Sequence, residues 1–507
     1  MTDACTRCDL CVPACPVTLP NEFDEGLHYR SAIYTPFAQA EPGPYAIDID
    51  NCLNEPPNVL ACNRCMEACL PDAIDFNQPA ITEHKLKISA IITSTGFEML
   101  NPSLIEEYGY AKHENILTSM EYERMLNAAG PTAGEIIKPS DHKHPESVLF
   151  VLCVGSRDQR YCNYCSRVCC MYSIKEAYQT VDHGIKDVTV LYMDIRAYGK
   201  GFDEFHDRTL KEGIKYIRGR PAKIATDGPN PVVTYEDTEK GELVTQEFGL
   251  IVLAPALLPS QGTGKLADLL GIDLDTDGFI ASGEYDGFPV GTSKEGIYVS
   301  GCASGPKDIP DSVAEAGAAA AAAMTHVKIE DRFWPLEMYE ETIDPTEEGK
   351  IGVFVCDCGS NIAGTVDVPN VVDYVKGMDG VIHSEEVMFA CAGATQNHIT
   401  KIVKEKGINR LVVAACSPKT HQDTFKRAVA KAGLNKYLIE MSNIRNHNSW
   451  VHKKEPEAAT VKAKDMIRMS IEKTKHMVPL ESSDLPVIQK AVVVGGGASG
   501  MASAWNL

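Results

Sequence analysis

The stretch Cys5-Thr-Arg-Cys8-Asp-Leu-Cys11-Val-Pro-Ala-Cys15-Pro16 is the most informative part of this sequence. Two residues separate each of the first three cysteines, and a proline follows the fourth. This spacing lets one short loop hold a [4Fe-4S] cluster with three thiolates, while the fourth thiolate reaches a second cluster. A partner set follows at Cys52, Cys62, Cys65 and Cys69.

Together the two sets predict a ferredoxin-like module with two [4Fe-4S] clusters. We expect crossed ligation by two groups of four thiolates: Cys5, Cys8, Cys11 and Cys69, and Cys15, Cys52, Cys62 and Cys65. The alternatives are structural zinc and disulfides. Zinc sites usually pair two Cys-x-x-Cys knuckles at longer separation, so a run of three cysteines ending in Cys-Pro fits zinc poorly.

The bulk composition limits the partners and the compartment. The chain has 507 residues, 48 Lys and Arg, and 70 Asp and Glu, for a formal charge of −22. This acidic balance argues against nucleic acid and against an anionic membrane surface. No secretory signal is apparent, and the most apolar stretch, 316–324, is too short to span a bilayer. Thiol-rich motifs without an export signal predict the cytoplasm of an anaerobic or low-oxygen cell.

The middle of the chain alternates between strand and helix patterns. It predicts strands at 147–154, 188–192 and 214–217, helices at 173–181 and 203–213, and a meander at 222–225, 231–235 and 243–247 that ends in a strand at 250–254. Such alternation is typical of βαβ units on a parallel sheet. A further α/β domain is predicted from a strand at 350–356, helices at 368–376, 397–407 and 455–476, and a strand at 410–415.

A second cysteine set contains Cys153, Cys162, Cys165, Cys169 and Cys170. Cys153 ends a predicted strand, where a nucleotide-binding domain would have its glycine-rich turn. That phosphate cradle is missing from the sequence here, so we predict a [4Fe-4S] site instead. The predicted ligands are Cys153, Cys165, Cys169 and Cys170, with Cys162 as a spare. A set of buried or redox-active thiols is the alternative.

A third set contains Cys356, Cys358, Cys391 and Cys416. Two of its members, Cys356 and Cys416, follow strand-like runs, so both are expected at the same edge of a sheet. Four thiols there would hold one more cluster. Scattered core cysteines are an equally open alternative.

A glycine fingerprint lies near the end of the sequence. Gly495, Gly497 and Gly500 follow an apolar run at 491–494 that is predicted to be a strand. In this context, G-x-G-x-x-G lets backbone amides approach a pyrophosphate, although a plain glycine-rich turn is the alternative. Since the sequence stops at Leu507, we expect this fingerprint to need a completing segment from elsewhere.

With these residues assembled, the chain resembles the A-subunit family of heterodisulfide reductases, which are flavin and iron–sulfur proteins of anaerobes. The segments that carry the resemblance are 21–26, 32–37, 153–157, 164–172, 193–196, 301–308, 356–362 and 443–445. The resemblance implies FAD, several [4Fe-4S] clusters and electron transfer in a multi-subunit complex, often by flavin-based electron bifurcation. It also implies flavin-site roles for Gly96, Gly301 and Asp308.

The order of the segments is unusual for this family and resembles a window on two tandem modules. The predicted fold class is α/β: a ferredoxin-like two-cluster module, segments of a flavoprotein with two dinucleotide-binding domains, and a further α/β domain. The predicted segments are a two-cluster module (1–80), a flavin-domain segment (81–146), a degenerate nucleotide-binding-like domain with the second cysteine set (147–255), a flavin-domain return segment (256–330), a linker (331–349), an amino-terminal-type domain (350–485) and a truncated FAD fingerprint (490–507).

The predicted function is an electron-transfer oxidoreductase subunit of a heterodisulfide-reductase-like complex, with ferredoxin or a hydrogenase or dehydrogenase as electron donor. Lys175 is a candidate catalytic residue, because a lysine beside a flavin ring would favour its anionic reduced form. An ordinary solvated lysine is the alternative. For the whole chain, the alternatives are a non-catalytic cluster-relay scaffold and a truncated product.

Overall fold

The computed structural model describes residues 4–5, 7–37, 40, 45–54, 60–79, 81–283, 289–327, 339–347, 349–483, 485–486, 488 and 490–506. The chain forms two compact units. The first comprises Met1–Thr82, Arg124–Glu135 and Leu336–Pro486, and the second comprises Glu83–Glu123, Ile136–Pro335 and Val487–Leu507. Much of the predicted linker lies outside the described residues.

The amino-terminal part of the first unit is built from very short elements. They are α1 (Cys11–Ala14), the antiparallel pair β1 (Thr18–Pro20) and β2 (Tyr29–Ser31), the antiparallel pair β3 (Ile33–Tyr34) and β4 (Ala46–Ile47), and α2 (Arg64–Ala68). Its hydrophobic cluster is formed by the buried residues Cys11, Ile33, Tyr45 and Ile74, with other cysteines packed around them. A core this small seldom stabilises a fold without a disulfide or a metal.

The second unit is organised around a five-stranded parallel sheet. Its strands are β7 (Ile116–Thr118), β8 (Ser147–Val154), β9 (Asp187–Tyr192), β10 (Lys215–Arg218) and β14 (Leu250–Pro255), in the order β10-β9-β8-β14-β7. Helices α4 (Cys169–Asp182) and α5 (Phe202–Lys211) form the crossovers between β8, β9 and β10. The Val, Leu and Phe side chains of β8 are buried on both faces, as a central parallel strand requires. The predicted α/β class is confirmed.

The remaining elements of this unit are smaller. The predicted meander forms as β11 (Pro221–Ala225), β12 (Val232–Asp237) and β13 (Glu242–Glu247). Two short pairs join distant segments: β5 (Ile91–Thr93) with β16 (Ile297–Val299) in parallel, and β6 (Phe97–Met99) with β15 (Leu257–Pro259) in antiparallel orientation. The helices are α3 (Ser119–Leu126), α6 (Thr263–Leu270) and α7 (Ile309–Met324).

Residues 351–475 of the first unit form a second parallel sheet with helices. The strands β17 (Ile351–Asp357), β18 (Val381–Met388), β19 (Arg410–Ala415) and β20 (Ile439–Asn443) lie in the order β18-β17-β19-β20. The helices are α8 (Val368–Lys376), α9 (Gly393–Lys406), α10 (Pro418–Lys431) and α11 (Pro456–Lys475). The strand order changes direction between β17 and β19, which is where doubly wound sheets open a ligand crevice.

The predicted strand at 491–494 is wrong. In the described segment 490–497 no strand forms, and Val492 and Val494 are 87% and 94% exposed. An isolated apolar run gains no ladder hydrogen bonds without a neighbouring strand. A helix, α12 (Ala498–Asn506), follows this segment. Among the described residues, no helix is long and apolar enough to cross a membrane.

Candidate functional site

The eight cysteines of the amino-terminal part line two cavities. One cavity is lined by Cys5, Cys8, Cys11 and Cys69, together with Arg7, Asp9, Tyr45 and Pro71. The other is lined by Cys15, Cys52, Cys62 and Cys65, together with mostly apolar side chains that include Ile33, Ile47 and Phe76. These two groups are the ones that crossed ligation requires. Each cavity therefore draws three thiols from one run of the sequence and one from the other.

The backbone around these thiols turns sharply. Arg7 and Asp9, on either side of Cys8, have left-handed φ angles of 55° and 62°, and Ala61, just before Cys62, has φ 49°. Alternating conformations of this kind point successive amide N–H groups into a concavity that suits an anion, as in many iron–sulfur sites. One amide donates directly to sulfur: the N–H of Ala73 lies 3.2 Å from Cys69 Sγ.

Burial shapes the proton affinity of these thiols. Burial first, and then the neighbouring thiols at Cys5, Cys65 and Cys69, raise the pKa of Cys11 to about 11. Thiols in such a place stay protonated until a metal displaces the proton. No group of three or more His, Cys, Asp or Glu side chains in the described part of the chain converges on a single metal ion. A [4Fe-4S] cluster is consistent with a wider separation of the four thiols, because each of its four irons takes a different thiolate.

The second cysteine set lies where β8 ends and α4 begins. Cys153 has a left-handed φ of 58° and is hydrogen-bonded to Cys169, which also contacts Cys170. The hydrogen bond from Cys169 lowers the pKa of Cys170 to about 7. Backbone strain at a non-glycine residue is typical of functional sites. The structure therefore brings three of the four predicted ligands into direct contact.

The other two cysteines of this set have different surroundings. Cys165 Sγ accepts a hydrogen bond from the N–H of Arg167 at 3.2 Å. The charged guanidinium of Arg157 interacts electrostatically with both Cys153 and Cys165. Cys162 instead packs in the core of the second unit beside Tyr164. The predicted choice of Cys165 as fourth ligand, with Cys162 as the spare, thus remains a prediction that fits these contacts.

The third cysteine set meets at the carboxyl edge of the sheet in residues 351–475. Cys356 lies near the end of β17, Cys416 follows β19, and Cys391 follows β18. Burial first, and then the thiols at Cys358, Cys391 and Cys416, raise the pKa of Cys356 to about 12. The four thiols therefore lie close enough to interact electrostatically, at the point where the strand order changes direction. The geometry favours a common site over scattered core cysteines.

Arg445, which follows β20, is a site residue that the sequence did not reveal. Its charge acts on the thiols of Cys358, Cys391 and Cys416, and its guanidinium lies 4.8 Å from the centre of the Trp450 ring. Residues 443–445 contribute to the family resemblance, but the sequence pattern does not predict β20, so nothing in it places Arg445 at the sheet edge. The pattern likewise assigns no role to Arg157.

The candidate flavin residues Gly96 and Gly301 follow the paired strands β5 and β16. The hydroxyls of Ser94 and Ser300 lie 2.8 Å apart, which holds the two chain segments side by side. The N–H of Gly301 donates to Glu315 Oε2 at 3.0 Å, and the buried Lys307 pairs with the same carboxylate at 2.7 Å.

Asp308 occupies the N-cap of α7, where its side chain accepts from the N–H of Asp311 at 2.9 Å. In the fingerprint, Gly495 has a φ of 120°, and a Cβ at Gly500 would lie 1.9 Å from the Gly495 oxygen. That turn is therefore restricted to glycine.

Lys175 lies on α4, where its ammonium group forms an ion pair with the carboxylate of Glu123, and about 41% of its side chain is exposed. Its predicted catalytic role stays a prediction.

Comparison with known proteins gives relatives over about two thirds of the chain. The CoB–CoM heterodisulfide reductase iron-sulfur A-subunit of Methanocaldococcus jannaschii is 46% identical over 323 residues, 63% of this chain and 48% of the relative. The corresponding A-subunit 1 of Methanopyrus kandleri is 43% identical over 368 residues, 70% of this chain and 53% of the relative. The chain spans about half the length of the curated relatives it matches. No protein-family model matches it.

Solved structures similar to the chain include thioredoxin reductases of Lactococcus lactis and T. acidophilum. They are 20% and 18% identical, cover 47% and 46% of this chain and 65% of their own chains, and have TM-scores of 0.32 and 0.33. Because these TM-scores are low, the architecture is defined by the strand order of the chain itself and not by these similarities.

Crossed ligation predicts which pairs of substitutions act on the same cluster. Cys5→Ser and Cys69→Ser should each remove one cluster, and the double variant should lose no more iron than either single one. Cys5→Ser with Cys15→Ser should lose both clusters. The iron and acid-labile sulfide contents of anaerobically prepared protein measure the loss of clusters. Cys302→Ser is the control, since Cys302 belongs neither to the two amino-terminal groups nor to the second or third cysteine set. Additive iron loss for Cys5 with Cys69 would contradict crossed ligation.

Arg445→Gln should lower the reduction potential of a cluster held by the third cysteine set. A unit charge at about 6–10 Å in a medium of effective dielectric about 20 is worth about 2–3 kcal/mol, before solvent screening. We expect a drop of the order of 50–100 mV, since about 59 mV corresponds to a tenfold change in equilibrium constant for one electron. Arg445→Lys should restore most of it. The measurement is a redox titration followed by electron paramagnetic resonance (EPR). The control is Arg468→Gln, a substitution on helix α11. An unchanged potential in Arg445→Gln would contradict this role.

Proposed function

We propose that this chain, which is homologous over about two thirds of its length to the A-subunits of heterodisulfide reductases, is an iron–sulfur and flavin electron-transfer subunit of an oxidoreductase complex. The observation that carries the proposal is the grouping of the amino-terminal cysteines into two cavities of four thiols each. Thiols from distant parts of the sequence meet in each cavity, and soft thiolates are the ligands that iron–sulfur clusters take.

The residues present suit this chemistry. In the first two sites, left-handed residues turn the backbone sharply beside the thiols, and the N–H of Ala73 donates to Cys69 Sγ. In the second and third cysteine sets, Arg157 and Arg445 place positive charge beside them. Hydrogen bonds and charge around the sulfurs set the potential at which each site accepts an electron. When bound, the clusters supply one-electron transfer and FAD exchanges electrons singly or in pairs.

We further propose that the chain works within a heterodisulfide-reductase-like complex, with flavin-based bifurcation as its mode of electron transfer. Its partners would be the other subunits and a ferredoxin or a hydrogenase or dehydrogenase electron donor. Support comes from a relative in Methanothermobacter thermautotrophicus, the A-subunit of an H(2):CoB-CoM heterodisulfide,ferredoxin reductase, which is 44% identical over 341 residues. That relative's name combines a disulfide acceptor with a ferredoxin.

A second candidate function is a cluster relay without a flavin site of its own. The observation that favours it is the exposed run at 491–494, which does not form the strand that a dinucleotide-binding fingerprint normally follows. Gly96, Gly301 and Asp308 would then belong to a flavin fold that holds no flavin.

Anaerobic purification followed by cofactor analysis separates the two functions. The electron-transfer flavoprotein should show broad visible absorption from clusters, together with flavin that is released on denaturation. The relay should show cluster absorption and no flavin. Stoichiometric zinc, or protein free of iron and acid-labile sulfide, would contradict both proposals. Gly495→Val with Gly500→Val should abolish flavin binding and leave iron content unchanged, because a Cβ at Gly500 clashes with the Gly495 oxygen and a side chain at Gly495 strains its positive φ.

A further inference from the structure

Helix α4 carries a buried acid two turns beyond the second cysteine set. Glu176 is 2% exposed, and among the described residues none donates a hydrogen bond to its Oε2. The adjacent lysine, Lys175, pairs with Glu123 at the surface instead. Burial therefore raises the pKa of Glu176 well above its ordinary value, with the charge of Lys175 opposing and that of Glu123 adding to the effect. Its carboxyl group therefore holds a proton to higher pH than an ordinary glutamate does.

The helical register connects this acid to the thiols. Cys169, Tyr172 and Glu176 follow one another at spacings of three and four residues, so they share one face of α4. Along the axis, Glu176 lies about 10 Å from Cys169, at about 1.5 Å per residue. Burial raises the pKa of Tyr172 well above its ordinary value, and the charges of the Cys169 thiol and the Glu176 carboxyl add to this effect.

Polar atoms continue beyond Glu176 toward the end of the helix. The Thr180 hydroxyl donates to the Glu176 backbone oxygen at 2.8 Å and lies 2.6 Å from the hydroxyl of Tyr122. Ser173 Oγ and Gln179 Oε1 are buried, and no described residue is hydrogen-bonded to either. Buried polar atoms without protein partners are where structures hold ordered water. Water along this face would connect Glu176 with the helix end, where the following residue, His183, is exposed.

We propose that Glu176 is the proton acceptor coupled to one-electron reduction of a cluster held by Cys153, Cys165, Cys169 and Cys170. This inference rests on the proposed function. One electron from the reductant of the complex enters the cluster, and one proton from solvent binds the Glu176 carboxylate. Oxidation returns both, and no covalent bond to the cluster changes. The coupling is electrostatic: added negative charge strengthens proton binding, and the bound proton stabilises the added electron to the same extent.

A redox titration followed by EPR, across the whole pH range in which the protein stays folded, tests this coupling, because burial raises the pKa of Glu176 above its ordinary value. In the wild-type protein, the potential of this cluster should fall with rising pH over part of the range, by at most about 59 mV per tenfold change in proton concentration. Glu176→Gln, which keeps the shape but cannot titrate, should remove the slope. Glu176→Asp should restore it, and Glu212→Gln, on the exposed end of α5, should leave it unchanged.

Folding of the variant is checked separately. Because the pKa of Glu176 is raised in the folded state, the wild-type protein loses stability as pH rises from the unfolded-state pKa of a glutamate toward the folded-state value. Glu176→Gln removes that loss, so at pH 8 it should unfold at no lower denaturant concentration than the wild type.

Infrared difference spectra of the wild-type protein provide an independent measurement. Reduction should convert a carboxylate band into a protonated carboxyl band. A flat wild-type potential, an unchanged slope in Glu176→Gln, or no carboxyl band on reduction would each overturn the inference. Absence of iron and acid-labile sulfide from the wild-type protein would instead overturn the proposed function, and with it this inference.

Discussion

Mutual repulsion among buried thiolates is the constraint on which the candidate sites depend. Four sulfur ligands brought together inside a protein cannot all ionise unless a metal compensates their charge. Burial raises the pKa values of Cys11 and Cys356, and the neighbouring thiols add to this effect. A metal would therefore stabilise the packing of each site, most strongly in the amino-terminal part, where the hydrophobic cluster has four buried residues.

The chain solves the problem of gathering thiols in two ways. In the amino-terminal part, a loop with left-handed residues such as Arg7 and Asp9 lines one cavity together with its cysteines. In residues 351–475, a parallel sheet brings the cysteines together instead, because β17, β18 and β19 all end at one edge. The second cysteine set combines both, with a strained residue at the end of β8 and the first residues of α4.

Much of this could be predicted from the sequence, because the strongest signals are local. The apolar run of β8 and the boundaries of α8 were predicted correctly, and the relatives confirm the family resemblance. Strands β18 and β20 were missed because polar residues interrupt them, as in Ile439-Glu-Met-Ser-Asn443. Their pairing comes from tertiary neighbours, and so the sequence did not place Arg445. The prediction of a strand at 491–494 is wrong for the opposite reason: the run is strongly apolar, but no strand among the described residues pairs with it. The ligand roles and the segment boundaries stay predictions.

The interleaving of the two amino-terminal cysteine runs has a consequence for maturation. Since each cavity takes one sulfur from the other run, neither half of the module is a self-sufficient building block. Delivery of the first cube would already bring Cys69 or Cys15 to its distant partners and so pre-form the cage for the second. The first cluster would thus assist the loading of the second without being required for it.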